Sequence, residues 1–549
     1  MADLYGTYDK RIKLTIDHND IDSELTWFPV TVFFTSTQGE EIFTEFDADE
    51  DFDRCAFTTS DGSTQLYADC ELFDASEQKA IYHVSKTGWT ISDSSDTDFY
   101  FYYDNDAGHN TTYISKSGNT AAQSVWDSNF KAVYHMNDPE EPTYDTEYDG
   151  SVEPDSDGWT LGGTDYASSD GDILTIDTTA DGSYTCYYYK APDVNFDNGF
   201  YLKIRTQIHD DTNADAYQYI RINDGTQNEW CALAIAKTIL YDAKSGGFSS
   251  IKVVDTTDTY HIYEIYIKGS TAKVYMDGAY VDTITIVSDT VSDNVQFGDV
   301  STGATSKLEC MIDYVNYALD IGYNPYGIVD ATSNANHGDK KASGEPAEAT
   351  GKVGKGQTYD ATDDYITVAD DDSLDFGTGD FTLEAIIKTD TQNNRIFNKG
   401  NYGEADGMYR IYFRDSDPYI RMSVYNNSAG TQSDDEPTDY ADGYFHHIVG
   451  QRDGDYLRIF GDGAEKGTAK SGADDVDVSS NNSLYLGAES SVATFTVKTL
   501  DEMRISSSAR SAAWIAATYD SLWDTLLTYG DEETSEATVD NAIFFGMNF

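Results

Sequence analysis

Two stretches of this chain carry the same residue skeleton at nearly the same intervals, which implies that one fold is used twice. His261 precedes Asp277-Gly278 by 16 residues, and His446 precedes Asp462-Gly463 by 16. The turn closes AKVYMDG in one stretch and LRIFGDG in the other. Downstream, Asp313 in MIDYVNYAL lies 36 residues after Asp277, and Asp501 in LDEMRISSSA lies 39 after Asp462. Upstream, SDGDILTID is matched to TDDYITVAD, with 141 residues from Asp172 to Asp313 and 137 from Asp364 to Asp501.

The residues between these marks are those of half-buried strands. Tyr (42) and Phe (25) recur with Thr and Val in short alternating runs broken by Asp, Gly, Asn and Ser, the pattern of antiparallel sheets joined by tight turns. The expected fold class is all-β, a series of antiparallel β-sandwiches. A length of 549 residues allows three or four domains, each with its own core.

The N-terminal stretch to Asn129 reads as one sandwich, with strands RIKLTID, FPVTVFF, FTEFD, AFTTSDGSTQLYADCELFD, KAIYHVS and DTDFYFYYDND. Asp61-Gly62 between alternating runs predicts a hairpin, because both central positions of a type I′ turn need positive φ. The repeated modules occupy 140–324 and 325–530, and residues 531–549 read as an acidic linker followed by a short apolar strand, NAIFFGMNF. That strand docks on its own domain or augments a neighbour's sheet edge.

The order KRIKLTIDHNDID, LTWFPVTV, LYADCELFD, DTDFYFYYDND and VWDSNFKAVYHMND resembles the uncharacterised domain family DUF2341, which implies a β-sandwich joined to a laminin-G-like module and no known chemistry. The third segment, with DATSNANHGD, GKVGKGQTYDATDDYITV, LDFGTGDFTLEAIIKT, GYFHHIVGQRDGDYLRIFGDG, LYLGAES and LDEMRI, resembles laminin-G-like jelly rolls of the concanavalin A-like superfamily. In that family an opening strand leads directly into a segment like DATSNANHG. Here the opening strand looks like FKAVYHMND, ending at Asp138, and its continuation resumes near Asp330. The resemblance therefore implies a jelly roll of residues 130–139 plus 325–530, with a second concanavalin A-like jelly roll, 140–324, inserted at an exposed loop.

With 35 basic against 98 acidic residues, a net of −63, the chain lacks the basic footprint that nucleic acid requires. The acidity suits solubility, a salty medium or a calcium-rich surface, since hard cations prefer carboxylate oxygens. The opening MADLYGTYDKRIKLTIDHND lacks the basic, apolar and small-residue layout of a secretory signal, and no run reaches the roughly 18 apolar residues of a membrane span. Five cysteines, Cys55, Cys70, Cys186, Cys231 and Cys310, read as free buried thiols or, for Cys55 and Cys70, as one bridge.

No strand shows the alternating carboxylates of sandwich glycosidases, no GxSxG elbow is present, and no HExxH or paired CxxC marks a zinc site. His446 and His447, beside Tyr444 and Phe445, are expected to be structural. Calcium is the favoured cofactor: the resemblance brings the loops carrying Asp363 and Asp364 to one rim with Asp501, and makes Asp170, Asp172 and Asp313 their equivalents in the middle module. The competing role for these residues is turn capping through the side-chain oxygen. Trp89, Trp159, Trp230 and Tyr419 are the candidate sugar-stacking aromatics; the sequence does not locate a glycan site.

The sandwiches, the lack of an export signal and the lack of catalytic constellations together suggest a non-enzymatic virion protein of a tailed virus. It would be a tail, fibre or capsid-decoration component, with lectin-like modules meeting copies of itself, other virion proteins and host-surface glycans. The alternatives are a secreted or cell-surface adhesin and a glycoside hydrolase.

Overall fold

A computed structural model describes residues 4, 7–179, 185–211, 217–244, 247–300, 308–341, 346–392, 395–401, 407–413, 419–427, 429–433, 438–489 and 497–535. The apolar strand expected at NAIFFGMNF lies outside the described residues. Nearly all regular structure is antiparallel sheet, and the chain divides into two compact units, the smaller formed by the described residues of 139–326.

In the larger unit the N-terminal sandwich has two four-stranded sheets. One runs Cys55–Thr59, Thr97–Tyr103, Lys10–Ile16 and Leu527–Thr534; the other runs Val30–Thr35, Lys79–Ser85, Tyr67–Asp74 and Ile114–Lys116. The alternation of KRIKLTI is realised directly: Ile12, Leu14 and Ile16 are buried against Phe34, Phe57, Phe101 and Tyr82. Two local expectations are corrected. FTEFD forms no strand, because the acidic stretch around it turns into 3-10 segments at Glu40–Thr44 and Asp49–Asp53. Asp61-Gly62 does sit at the end of a short hairpin, since the Thr59 amide donates to the Thr64 carbonyl, the Leu66 amide donates to the Phe57 carbonyl and Thr58 pairs antiparallel with Gln65, but the turn is not type I′. Of that pair only Gly62 is left-handed (φ 69°), while Asp61 accepts the amides of Ser63 and Thr64.

The C-terminal jelly roll belongs to the same unit. One sheet orders Ala347–Thr350, Lys355–Asp360, Val497–Ser506, Phe381–Lys388, Phe445–Asp453, Tyr456–Gly461 and Ala464–Ser471; the facing sheet includes Ile366–Val368, Leu484–Leu486, Arg395–Lys399, Met408–Phe413, Ile420–Tyr425 and Gly430–Gln432 in that order. Phe130–Tyr134 pairs with Val497–Ser506. Asp330 joins this early strand to the later chain by accepting the amides of Val133, Thr332 and Asn336.

The smaller unit repeats this order. Ala167–Ser169, Leu174–Asp177, Leu308–Leu319, Phe200–Asp211, His261–Lys268, Thr271–Met276 and Ala279–Ile284 form one sheet, and Thr146–Tyr148 pairs with Leu308–Leu319. This order corrects one pairing made from the sequence. Leu174–Asp177, in SDGDILTID, occupies the place of Lys355–Asp360, since each lies beside the long strand that carries Asp313 or Asp501. Ile366–Val368, in TDDYITVAD, lies in the opposite sheet. Both segments are an acidic turn followed by alternating apolar residues, so their local patterns could not separate them.

The shared interval of 16 has a physical cause. His261 Nδ1 lies 2.7 Å from Asp277, whose other oxygen accepts the Ile262 amide; His446 Nδ1 lies 2.9 Å from Asp462, which accepts the His447 amide. Both turns have left-handed residues at both central positions, Asp277-Gly278 and Asp462-Gly463, the type I′ geometry. Each histidine thus clamps a hairpin. Burial pushes the His446 imidazole toward neutrality, but the carboxylates of Asp462 and Asp442 outweigh it and raise its pKa; His261 is raised in the same way by Asp277 and Asp258. For a raised histidine the stabilisation is fully present below its ordinary pKa and is lost as pH rises through the raised value. The melting temperature of His446→Asn is therefore expected to lie below wild type by about 2 °C near pH 6, with the gap closing toward pH 9. A gap independent of pH would show that charge plays no part in the clamp.

Candidate ligand-binding face and buried His/Glu cluster

The six aspartates singled out as calcium ligands do not form two matching sites. Asp501 is fully buried, and one oxygen accepts the amides of Lys352 and Val353; burial and the neighbouring Glu502 push its carboxyl well above the usual range. Asp364 is buried and accepts the Asp360 amide, while Asp363 pairs with Lys341. Asp360, Asp363 and Asp364 come together. Asp360, however, is opposite Val497, four residues before Asp501 on the same strand, so that cluster lies roughly 13 Å from Asp501 at the rise of a strand. In the smaller unit Asp170 closes the turn before Leu174–Asp177 by accepting the amides of Asp172 and Ile173, and Asp313 pairs with Arg205.

A second group of side chains went unremarked in the sequence. Glu71 and His83 of the N-terminal sandwich meet His135 and Glu502 of the jelly roll, all with side chains at most 1% exposed. His83 Nε2 is 2.9 Å from Glu71 Oε2, and His135 Nδ1 is 2.5 Å from Glu502 Oε1. The cross separations are 3.7 Å for His135 to Glu71 and 3.9 Å for His83 to Glu502. This cluster could coordinate a divalent cation. Burial and the adjacent His135 hold His83 well below the usual imidazole range. Burial acts on His135 in the same direction, but Glu502 and Asp69 overcome it and hold His135 well above. Burial and Glu502 raise Glu71, whereas His135 and Arg504 overcome burial to lower Glu502. The ligand atoms come from positions 71, 83, 135 and 502, and only the local Glu-x-Phe and Tyr-His strand patterns surround them. No spacing motif announces such a set.

The outward face of one jelly-roll sheet carries an open depression of about 240 Å³. Tyr409, Ile411, Phe413, Ile420, Met422 and Val424 point into the core, so Met408, Arg410, Tyr412, Arg421, Ser423 and Tyr425 project the other way. Arg410 lies 4.2 Å over the Tyr412 ring, and its buried Nε has no hydrogen-bond partner among the described residues. Gln432 Oε1 is 3.4 Å from the Tyr412 hydroxyl, and Ser423 reaches the same hydroxyl at 3.4 Å. None of the described residues lining the depression is acidic. The corresponding sheet of the smaller unit shows Arg221 4.2 Å over Trp230 and Phe248 stacked 4.7 Å from Tyr217, with Phe248 45% exposed. Trp89 and Trp159 are core residues, Trp230 borders this face, and Tyr419 is half-buried. All five cysteines are buried thiols that form no disulfide.

The fold defines a multi-domain protein of antiparallel sandwiches with a concanavalin A-like, laminin-G-like jelly roll. Residues 360–516 match the family model described as the Concanavalin A-like lectin/glucanases superfamily. No curated protein matches the chain. Among solved structures it is similar to the binding domain of Paraclostridial Mosquitocidal Protein 1, at 14% identity over 35% of this chain and 49% of that one, with TM-score 0.30. It is also similar to domain 4 of AbnA, a GH43 extracellular arabinanase from Geobacillus stearothermophilus, at 18% identity over 34% and 90%, TM-score 0.30. For domains LG4-5 of the mouse laminin alpha1 chain the figures are 11% identity over 64% and 94%, TM-score 0.24. The chain spans about half the length of the mosquitocidal binding domain it matches. No described helix is long and apolar enough to cross a membrane.

Proposed function

We propose that the chain is a non-catalytic adhesion protein whose jelly-roll sheet face binds glycan. The observation that carries this reading is the depression around Arg410, Ser423, Tyr425 and Gln432. Aromatic rings offer a flat apolar wall to a sugar, and the hydroxyl, amide and guanidinium groups offer directional partners to its hydroxyls. Arg410 adds a preference for sugars bearing a carboxylate or sulfate, because its buried Nε has no hydrogen-bond partner among the described residues and a guanidinium can bind such anions through two parallel hydrogen bonds. The match to a superfamily of lectins and glucanases supports carbohydrate as the ligand class. Among the described residues, the lining supplies no carboxylate pair at the roughly 5–10 Å spacing that glycoside hydrolysis uses, which favours binding over cleavage. A small site of this kind gains strength from many copies, as avidity multiplies weak affinity.

Full-length protein on a glycan array is expected to retain a subset of glycans, acidic ones foremost. Arg410→Ala should weaken retention about tenfold or more, the scale of a lost charge-assisted hydrogen bond. An array with no bound glycan, or an Arg410→Ala protein that binds like wild type, would sink this reading, and reducing sugar released from a polysaccharide panel would sink its non-catalytic part. The surface that displays the protein is cellular or viral. Recovery from uninfected cells would make it a secreted or cell-surface adhesin, and symmetric copies in purified particles would make it a tail, fibre or capsid-decoration component.

A further inference from the structure

We infer that Glu71, His83, His135 and Glu502 bind one zinc-class divalent ion that staples the N-terminal sandwich to the jelly roll. This inference is independent of the glycan reading.

The geometry of the four ligand atoms carries it. Zinc bonds of about 2.0–2.2 Å in a tetrahedral site imply ligand separations of about 3.4 Å; the four nitrogen-to-oxygen edges of the six, 2.5, 2.9, 3.7 and 3.9 Å, bracket that value, and all four atoms lie within 4.8 Å of one another. The groups behind the ligands are those a metal site needs. His83 Nδ1 is held 3.1 Å from Thr31 Oγ1, and His135 Nε2 lies 3.1 Å from Asp69 Oδ2. Asp69 in turn accepts from Ser117 and Trp126. A carboxylate or hydroxyl behind each imidazole fixes the tautomer that presents the opposite nitrogen to a metal. Arg504 donates to Glu502 Oε2, leaving Oε1 directed at His135.

Charge points the same way. Once their protons are displaced by an ion, two neutral imidazoles and two carboxylates carry a charge of about −2, which a divalent ion cancels without placing an unpaired charge in the core. Two nitrogen ligands and four-fold coordination exclude a calcium-like choice, since calcium takes six to eight oxygens. With four protein ligands and no open position the site is structural, not catalytic. Two ligands come from the sandwich strands Tyr67–Asp74 and Lys79–Ser85; Glu502 lies on the jelly-roll strand Val497–Ser506, and His135 directly follows Phe130–Tyr134. Metal binding therefore couples the two cores.

The full-length protein is refolded from urea with zinc, with calcium or with neither, dialysed, and its metal content measured by plasma mass spectrometry. The expected result is one zinc per chain, no retained calcium at this site, and a melting temperature about 5 °C higher with zinc than after chelation. The double variant His83→Gln/His135→Gln, with its strand content checked by circular dichroism, should lose the stoichiometric zinc. Should that variant not fold, Glu71→Gln in cobalt-loaded protein is the second measurement, and its visible spectrum should depart from the tetrahedral spectrum of cobalt-loaded wild type. Wild-type protein refolded with zinc that retains none would overturn the inference. So would a folded double variant that keeps a full equivalent, or a cobalt spectrum indifferent to Glu71→Gln.

Discussion

Replacing Arg510 by Ala is expected to lower the melting temperature of the larger unit by about 5–10 °C, the shift that follows from about 3–5 kcal/mol lost when one partner of a buried ion pair is removed. Arg510 makes two bonds to Asp127, at 2.6 and 2.9 Å, with side-chain exposures of only 6% and 9%. Its guanidinium lies 4.3 Å from both the Phe130 and Trp514 rings. An alanine there leaves the Asp127 carboxylate buried without its cation and empties a slot between two aromatic rings, so desolvation and cavity costs add. Arg510→Lys should fall between the two, because an ammonium cannot reproduce the bidentate fork. The double change Arg510→Met/Asp127→Leu should recover much of the loss, since it removes the orphaned charge while keeping volume. Denaturant unfolding of the three variants checks the order. Equal stability of Arg510→Ala and the double variant would mean that the ion pair does not govern this junction.

The junctions were the least legible part of the chain because they are built from residues far apart in sequence. Alternation in KRIKLTI and FTLEAIIK is a local signal, and those segments are strands with apolar faces inward. The interval of 16 between His446 and Asp462 was equally legible because the contact is local: His446 lies on Phe445–Asp453, Asp462 lies in the turn that ends the adjoining strand Tyr456–Gly461, and the two touch. Asp127 and Arg510, by contrast, are 383 residues apart, and no periodicity links them. The same holds for the zinc-class cluster, where His135 and Glu502 are separated by 367 residues. Acidic turns misled in the opposite direction. Asp caps turns everywhere in this chain, as Asp61, Asp170 and Asp371 do, so an aspartate ahead of a strand carries little information about metal. The helix Ala512–Leu522 was also missed, although Ser511 caps it by accepting the Trp514 amide. The signal available there was the Ser cap followed by Ala-rich sequence.

Deleting residues 527–549 is expected to destabilise the N-terminal sandwich by a similar amount and to make it aggregate. Residues 531–534, which read as the start of an acidic linker, instead complete the strand Leu527–Thr534, and that strand pairs with Lys10–Ile16. The acidic side chains are used: Glu533 pairs with Arg11 at 2.6 Å, and Glu532 meets Tyr103 and lies 3.7 Å from Lys10. The composition that suggested a solvated linker thus fits an edge strand laid beside the basic residues of KRIKLTI, where exposed charge also discourages pairing with other chains. Tyr529 sits edge-on to Phe34 at 6.0 Å, and its hydroxyl accepts the Phe33 amide. Removing the strand leaves one side of Lys10–Ile16 with unpaired backbone groups and uncovers Phe34, which creates an edge able to recruit another chain. Calorimetry should show the transition about 5–10 °C lower, with light scattering rising before unfolding is complete. Tyr529→Phe isolates one element of this loss, the hydrogen bond to Phe33, and should cost about 1–3 kcal/mol. A truncated protein that melts with wild type and stays monomeric would mean that the sandwich is closed without its last strand.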